Sequence, residues 1–214
     1  MEPVTLSDGV VELAPPTPAD VDAVTTLCQD PDIRRWTTVP SPYTRPDAEY
    51  FVGTMVGDGW EQGRECTWGI RTDGALVGMI GLSLRPPGSA EVGYWLGPQA
   101  RGRGLLHRSL RLALGHAFAP DGLDLDRVEW RCFAGNWASW RAAWRVGFTF
   151  EATLRGGGVQ RGRRVDEWAG TLLREDPREP RRPWPATSIP APLPPTLPPT
   201  LPRTTPTPVA GPSA

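Results

Sequence analysis

The chain predicts a mixed α/β (α+β) fold, a mixed sheet with helices on both faces, on three observations. Its first half carries strand-like runs joined by tight polar turns, Ser7-Asp-Gly9 and Thr72-Asp-Gly74. Its second half alternates strand-like and helix-like periodicity. A long amphipathic segment, about Arg103–Phe118, follows a strand directly through a glycine-rich turn. Hairpins first and βα units afterwards imply one mixed sheet covered on both sides.

Each element has a local cause. Val4–Leu13 reads as a hairpin turning at Ser7-Asp-Gly9. A helix follows Thr17-Pro-Ala-Asp20, where Thr17 suits the cap and Pro18 the first turn. Pro46–Val56 reads as a second helix. Cys66–Arg71 and Ala75–Leu84 pair across Thr72-Asp-Gly74, whose residues tolerate the left-handed turn. Glu91–Leu96 is the next strand. In the long helix Leu106, Leu110, Ala113, Leu114 and Ala117 share one face. Asp126–Phe133 is a strand, Asn136 caps a helix ending before Gly147, and Phe148–Leu154 and Val165–Leu173 close the sheet. From Pro177 the composition turns proline-rich, which forbids helix and sheet ladders. The reading is a folded domain over 1–175 and a disordered tail over 176–214. The tail's PxxP-like stretches either dock an unknown partner's groove or are simply solvated.

With 214 residues and ten tryptophans the chain has enough apolar surface for one packed core. Its formal net charge of −1 gives no global field for nucleic acid or a membrane surface. All 23 basic residues are arginine, so a Walker phosphate loop, which needs lysine, is excluded. A dinucleotide fingerprint lacks its third glycine. Cys28, Cys66 and Cys132 are widely spaced and no leader segment is evident, which favours a reduced, cytoplasmic setting. Two histidines, His107 and His116, far from acidic or cysteine clusters, give no metal site. No apolar run approaches the ~18–20 residues of a membrane span.

The stretch from Ala90 to Ser109 carries the chemistry: a strand, a basic glycine turn, then a helix start. Successive amides aimed by a helix N-terminus form an anion site. Arg103, His107, Arg108 and Arg111 crowd that start, where the helix dipole disfavours cations unless a bound polyanion reverses the local field. A phosphate-bearing cofactor at residues 101–108 follows.

The run Arg101-Gly-Arg-Gly-Leu-Leu106, after Glu91–Leu96 and Pro98, resembles the acetyl-CoA loop of the GNAT N-acetyltransferases, whose motif is Arg/Gln-x-x-Gly-x-Gly/Ala. The order Asn136-Trp-Ala-Ser139, Trp144-Arg-Val-Gly-Phe148, Glu151, Arg155 and Arg163-Arg-Val-Asp166 is similar to the RimJ/RimL branch, which acetylates ribosomal-protein N-termini. Asp30–Trp36 and Gly78-Met-Ile-Gly81 resemble it as well. The resemblance covers about residues 3–175. Leu106 at the Gly/Ala position, Arg108 where relatives carry Glu, and Ala152 where they carry Gly depart from it.

The resemblance implies a mainly antiparallel GNAT-like sheet in which Glu91–Leu96 splays from Asp126–Phe133. Acetyl-CoA is then the cosubstrate, with no metal. Its pantetheine lies in the gap against Tyr94, Trp95 and Leu96, with Asn136 as contact or mere helix cap. Its pyrophosphate lies on Arg101, Gly102, Arg103, Gly104, Leu105 and His107. The reaction it implies is direct attack of a primary amine, from a protein N-terminus or a small molecule, on the thioester. A backbone N–H near Tyr94–Leu96 then serves as oxyanion donor. Ser139 is the candidate proton source at sulfur, or a helix cap only. Glu91 and Glu151 are the candidate bases, or solvated edge residues. Asp166 either orients Arg155 or makes a structural ion pair. Trp36, Trp60, Trp68 and Trp95 are candidates for an acceptor tunnel, of which Trp36 and Trp95 are assigned to the acceptor pocket. Trp137, Trp140 and Trp144 recur at helical spacing, which suits core packing or a homodimer face. The rival reading is a non-catalytic acyl-CoA-binding module, favoured by Leu106 and by the lack of a tyrosine over 136–148. A nucleic-acid binder using Arg161–Arg164 is opposed by the net charge.

Overall fold

Turn chemistry sets the strand order in the computed structural model, which describes residues Met1–Trp184. Asp73 and Gly74, at φ 50° and 75°, make the left-handed turn that joins β3 (Glu65–Thr72) to β4 (Ala75–Arg85). Arg161 and Gly162, at φ 47° and 75°, do the same between β7 (Thr149–Gln160) and β8 (Arg163–Leu173). Those last two strands run longer than the apolar alternation alone indicates. The sheet has eight strands in the order β1 (Leu6–Ser7), β2 (Glu12–Ala14), β3, β4, β5 (Ser89–Leu96), β6 (Arg127–Phe133), β8, β7. Every pairing is antiparallel except β5–β6.

That exception opens the molecule. β5 and β6 pair from Ser89↔Arg127 to Val92↔Trp130 and no further. Gly93–Leu96 stays paired to β4, and Arg131–Phe133 to β8, so the two strands part below Val92. Alternate residues of the freed segment turn backbone N–H and C=O groups into the gap. This is the splayed pair that the resemblance implies.

Two apolar clusters cover the two faces. On one, α5 (Leu105–Phe118) sets Leu110, Ala113, Leu114 and Ala117 against Trp68, Leu82, Val128 and Trp130, and α6 (Trp137–Arg145) adds Trp140 and Ala143. On the other, α1 (Val21–Leu27), α2 (Pro31–Trp36) and α3 (Arg45–Tyr50) bury Val24, Ile33 and Ala48 with Met79 of β4. Thr17 and Asp20 form a capping box ahead of α1, and Thr44 and Asp47 repeat it ahead of α3. α2 is an element that the strand-and-helix periodicity does not predict. Asp30 caps it by accepting from the amides of Asp32 and Ile33, at 3.1 and 3.0 Å. The helix expected over Pro46–Val56 also runs on, through a π-helical turn (Phe51–Met55) into α4 (Val56–Glu61). The extension buries Trp60 against Trp68, ring centroids 5.2 Å apart.

The first residues of the expected tail are packed on the fold. The segment from Pro177 to Trp184 lies over α6: the Trp184 ring is 5.1 Å from Trp140 and 5.3 Å from Trp144, and the Trp144 indole N–H donates to the Arg182 carbonyl at 3.0 Å. The remainder of the predicted tail, 185–214, lies outside the described residues.

Candidate active site

The strand gap opens into a cavity of about 750 Å3, bounded by β5, β6, the 101–107 turn, α6 and α2. Its two ends differ in chemistry, and each follows from a local feature of the chain.

At one end the glycine turn supplies amides. Gly102 and Gly104 sit at φ 74° and 77°, where an L side chain is strained, and a Cβ at either meets nothing within 4 Å. Conformation, not crowding, requires glycine there. The α5 amides of Leu105, Leu106 and His107 precede the first intrahelical bond, Arg108 N–H to the Gly104 carbonyl at 3.2 Å. Among the described residues, the amides from Gly102 to His107 meet no acceptor. His107 Nδ1 is buried without a partner, and burial, then Arg111, Arg145 and Arg108, lowers its pKa. Arg141 and Arg145 of α6 line the same end, and neither forms an ion pair among the described residues. Unpartnered amides and guanidiniums without ion pairs are the donor set that a polyanion requires. Arg103 is exposed and does not line the cavity. Arg101 lines it, but its guanidinium is spoken for by Asp30 at 2.6 Å, Asp32 at 3.1 Å and the Leu96 carbonyl at 3.1 Å. It fastens the turn to α2. Burial opposes the charge on Asp30, yet Arg101 and the Ile33 amide hold its pKa below the usual range.

In the middle, three side chains meet where β5, β6 and α6 converge. The Trp130 indole donates to Ser139 Oγ at 3.0 Å, Ser139 Oγ donates to Tyr94 Oη at 3.2 Å, and Tyr94 Oη donates to the Ser139 carbonyl at 2.9 Å. Asn136 Oδ1 accepts the Ser139 amide at 3.1 Å, so Asn136 does cap α6, and it lines the cavity as well. Burial raises the Tyr94 pKa, the Ser139 hydrogen bond partly opposing it, so the phenol keeps its proton. A tyrosine is therefore beside Ser139, although none lies on α6. Cys132 lines the cavity too, its thiol pKa pushed up chiefly by burial.

The far end is walled by Trp36 and Trp95 and floored by the polar sheet face. On that face Glu91 accepts a hydrogen bond from the Arg85 guanidinium at 2.8 Å and forms a longer ion pair with Arg131 at 3.7 Å. Trp60 and Trp68 do not line the cavity. Both are buried in the core between the sheet and α5, Trp60 from α4 and Trp68 from β3, which corrects their place in an acceptor tunnel. Glu151 is also displaced: a register shift after Phe150 and the position of β7 beyond β8 carry it out to Thr171, whose hydroxyl it accepts, and Arg127. It does not line the cavity. Asp166 neither pairs with Arg155 nor touches the cavity, since its Oδ1 accepts the Gly156 amide at 2.8 Å.

Glu167 was not singled out by the sequence reading and does line the cavity. Burial raises its pKa, Arg131 lowers it, and Glu91 raises it again, with a net rise. The β7 irregularity at Gly157 and Gly158 makes its room. A Cβ on Gly158 would sit 2.8 Å from Glu167 Oε1, and one on Gly157 3.2 Å from Oε2. The legible signals were three glycines opposite an acid, and an acid alternating with the buried Trp168.

The profile described as the acetyltransferase (GNAT) domain matches residues 11–149. A provisionally named ribosomal N-acetyltransferase, YdaF, of Bacillus subtilis (strain 168) is 32% identical over 110 residues, 50% of this chain and 59% of the relative. A ribosomal-protein-serine acetyltransferase of Escherichia coli (strain K12) is 35% identical over 82 residues, 37% of this chain and 45% of the relative. The chain thus spans about half the length of these curated relatives. The solved structure of RimL, a ribosomal L7/L12 α-N-protein acetyltransferase in complex with coenzyme A, superposes with a TM-score of 0.71 at 21% identity. That superposition covers 79% of this chain and 98% of RimL.

Proposed function

The chain belongs to the GNAT acetyltransferase family, and on that premise we propose that it transfers an acetyl group from acetyl-CoA to a primary amine by direct attack. One observation carries the reading: the β5–β6 gap runs straight into the unpartnered amides of Gly102–His107. An elongated ligand with a phosphate-bearing end and an amide-bearing arm fits that continuity. RimL holds coenzyme A in its solved structure, which supports the same cosubstrate here.

Each step then falls to a residue of this chain. The pyrophosphate binds the turn amides, with Arg141 and Arg145 as further cations. The pantetheine arm pairs with the free backbone of Gly93–Leu96 and orients the thioester against β5. An amine reaches it from the Trp36 and Trp95 side as an ammonium ion. Glu167, whose raised pKa makes it a better base than an exposed carboxylate, takes the proton. The amine nitrogen bonds to the carbonyl carbon, and a backbone N–H of β5 stabilises the oxyanion. Collapse breaks the C–S bond, and the second nitrogen proton passes to the departing sulfur through the Ser139 or Tyr94 hydroxyl, so that an amide and the free thiol of CoA are formed. Glu91, already held by Arg85 and Arg131, sets the field around Glu167.

The test is thiol release from acetyl-CoA by the full chain against a panel of free-amine peptides and small amines. Release that requires an amine, with acetyl found on it by mass spectrometry, upholds the reading. Acetyl-CoA binding without release for any amine favours the acyl-CoA-binding module.

A further inference from the structure

The sheet face under the amine side of the cavity has a trough in it. Gly81 of β4 and Gly93 of β5 stand opposite each other, between the pair Met79–Trp95 and the pair Ser83–Glu91. All six line the cavity. A Cβ on Gly93 would meet nothing within 4 Å, so the space above it is open. A Cβ on Gly81 would lie 3.2 Å from Glu65 Oε1 and 3.5 Å from Thr67 Oγ1. The Glu65 carboxylate, from the start of β3, therefore reaches over Gly81, one strand away from Gly93. Thr67, only 5% exposed and on the same face by strand alternation, holds it there. Its hydroxyl donates to Oε1 at 3.3 Å. Neither Glu65 nor Glu167 forms an ion pair among the described residues, whereas Glu91 is compensated by Arg85 and Arg131. The cavity thus holds two carboxylates without a cation, beside the apolar surface of Met79 and Trp95. Desolvating such charges costs free energy unless a cation comes with the ligand.

We infer that the acceptor is a small aliphatic diamine: one nitrogen is acetylated over Gly93 while the second, as ammonium, pairs with the Glu65 carboxylate over Gly81. The inference rests on the acetyl-transfer reading above and names the residue that selects the acceptor. Strand register sets the length. Neighbouring strands lie ~4.8 Å apart and an ammonium stands ~3 Å from the oxygen that accepts it, which puts the two nitrogens about 6–8 Å apart. With C–C bonds of about 1.5 Å in a zigzag, roughly five carbons span that distance. Met79 and Trp95 flank the methylene chain on one side of the trough and Ser83 on the other. The Thr67 hydroxyl takes one of the carboxylate's lone-pair sites and leaves the others for the ammonium. The reacting nitrogen gives up its proton to Glu167 as above, and the second nitrogen keeps its own throughout. Glu65 also works against other acceptors. A monoamine leaves it uncompensated beside a methylene chain, an amino acid brings a second carboxylate against it, and a polypeptide N-terminus places neutral backbone there.

The test follows thiol release from acetyl-CoA by the full chain, with 1,5-diaminopentane, 1-aminopentane, 5-aminopentanoate and the peptide Ser-Ala-Ala-Gly as acceptors. kcat/KM for the diamine is expected to exceed that for the monoamine by at least ~10-fold, the worth of one charge-assisted hydrogen bond, and the gap should narrow as salt rises. The aminopentanoate should be the poorest of the small amines. Glu65→Gln should raise KM for the diamine by at least ~10-fold with a smaller change in kcat, erasing its advantage. Calorimetric titration with acetyl-CoA shows whether that variant is folded. Glu65→Asp draws the carboxylate back by one methylene, so its preferred acceptor should become 1,6-diaminohexane, and this shift decides the matter if Glu65→Gln does not fold. Equal kcat/KM for diamine and monoamine, or an advantage that survives Glu65→Gln, overturns the inference and leaves acetyl transfer standing. Release with the peptide alone overturns it in favour of a polypeptide acceptor. Acetyl-CoA binding without release to any of the four overturns the acetyl-transfer reading and, with it, the role given to Glu65.

Discussion

At Glu167 the proposed mechanism sets stability and activity against each other. Its pKa is raised in the folded chain, first by burial, so the fold prefers the neutral acid. The linked stability is full below the unfolded pKa and is lost as pH rises through the folded one. Glu167→Gln should therefore raise the melting temperature at pH 7 and leave it unchanged well below the ordinary glutamate range, where both states are protonated. It should also lower kcat by ~10²-fold or more as a general base is removed. Thermal melts at the two pH values, read beside thiol release, check both halves. A lower melting temperature at both pH values with kcat intact would show a structural acid instead. The Trp130–Ser139–Tyr94 chain gives a second expectation. Ser139→Ala leaves the Trp130 indole unpartnered, costing about 1–3 kcal/mol, and should reduce kcat more than acetyl-CoA affinity. Tyr94→Phe combined with it should cost less than the two losses summed, because both hydroxyls belong to one network. Additive losses in a double-mutant cycle would separate them. Ser139 and Glu91 were legible because helix caps and strand alternation have fixed spacings. Tyr94 and Glu167 were not, since what matters is which strands face each other across the gap, and that is a tertiary fact.

Among the elements, α6 carries the most weight, with Asn136, Ser139, Arg141 and Arg145 on its cavity side and Trp137, Trp140 and Trp144 toward the chain's last described segment. Trp184 closes that aromatic cluster. Trp184→Ala should destabilise the fold by about 1–3 kcal/mol through lost apolar burial and ring packing. It should also weaken acetyl-CoA binding more than Ser139→Ala does, because Arg141 and Arg145 shift with the helix. Denaturant unfolding and calorimetric titration of the variant check this, and an unchanged midpoint would show that the segment only rests on α6. Composition concealed the contact, since one tryptophan after eight tail-like residues does not change a proline-rich average. The π turn in Phe51–Met55 was hidden likewise, because apolar spacing by three and four continues through it while the helical phase slips. The β3–β4 hairpin was fully legible, its Asp-Gly turn being specified within four residues.

Sheet topology follows from the order of hairpins and crossovers, and the one parallel junction among the described residues places the gap between β5 and β6. Charge does not follow from its sum. A net charge of −1 conceals the α6 guanidiniums at one end of the cavity and the carboxylates at the other. A ligand that binds only the folded chain stabilises it by about 2.7 kcal/mol at a hundredfold excess over its Kd. Acetyl-CoA should therefore raise the melting temperature in a concentration-dependent way. The most direct test is calorimetric titration of the full chain with acetyl-CoA, alongside Gly104→Glu, which puts a strained backbone and a negative charge on the amide turn. Saturable binding by the parent, abolished in a variant that remains folded by circular dichroism, is the predicted result. No binding by the folded parent, or equal binding by the variant, would contradict the placement of the cosubstrate and the reaction built on it.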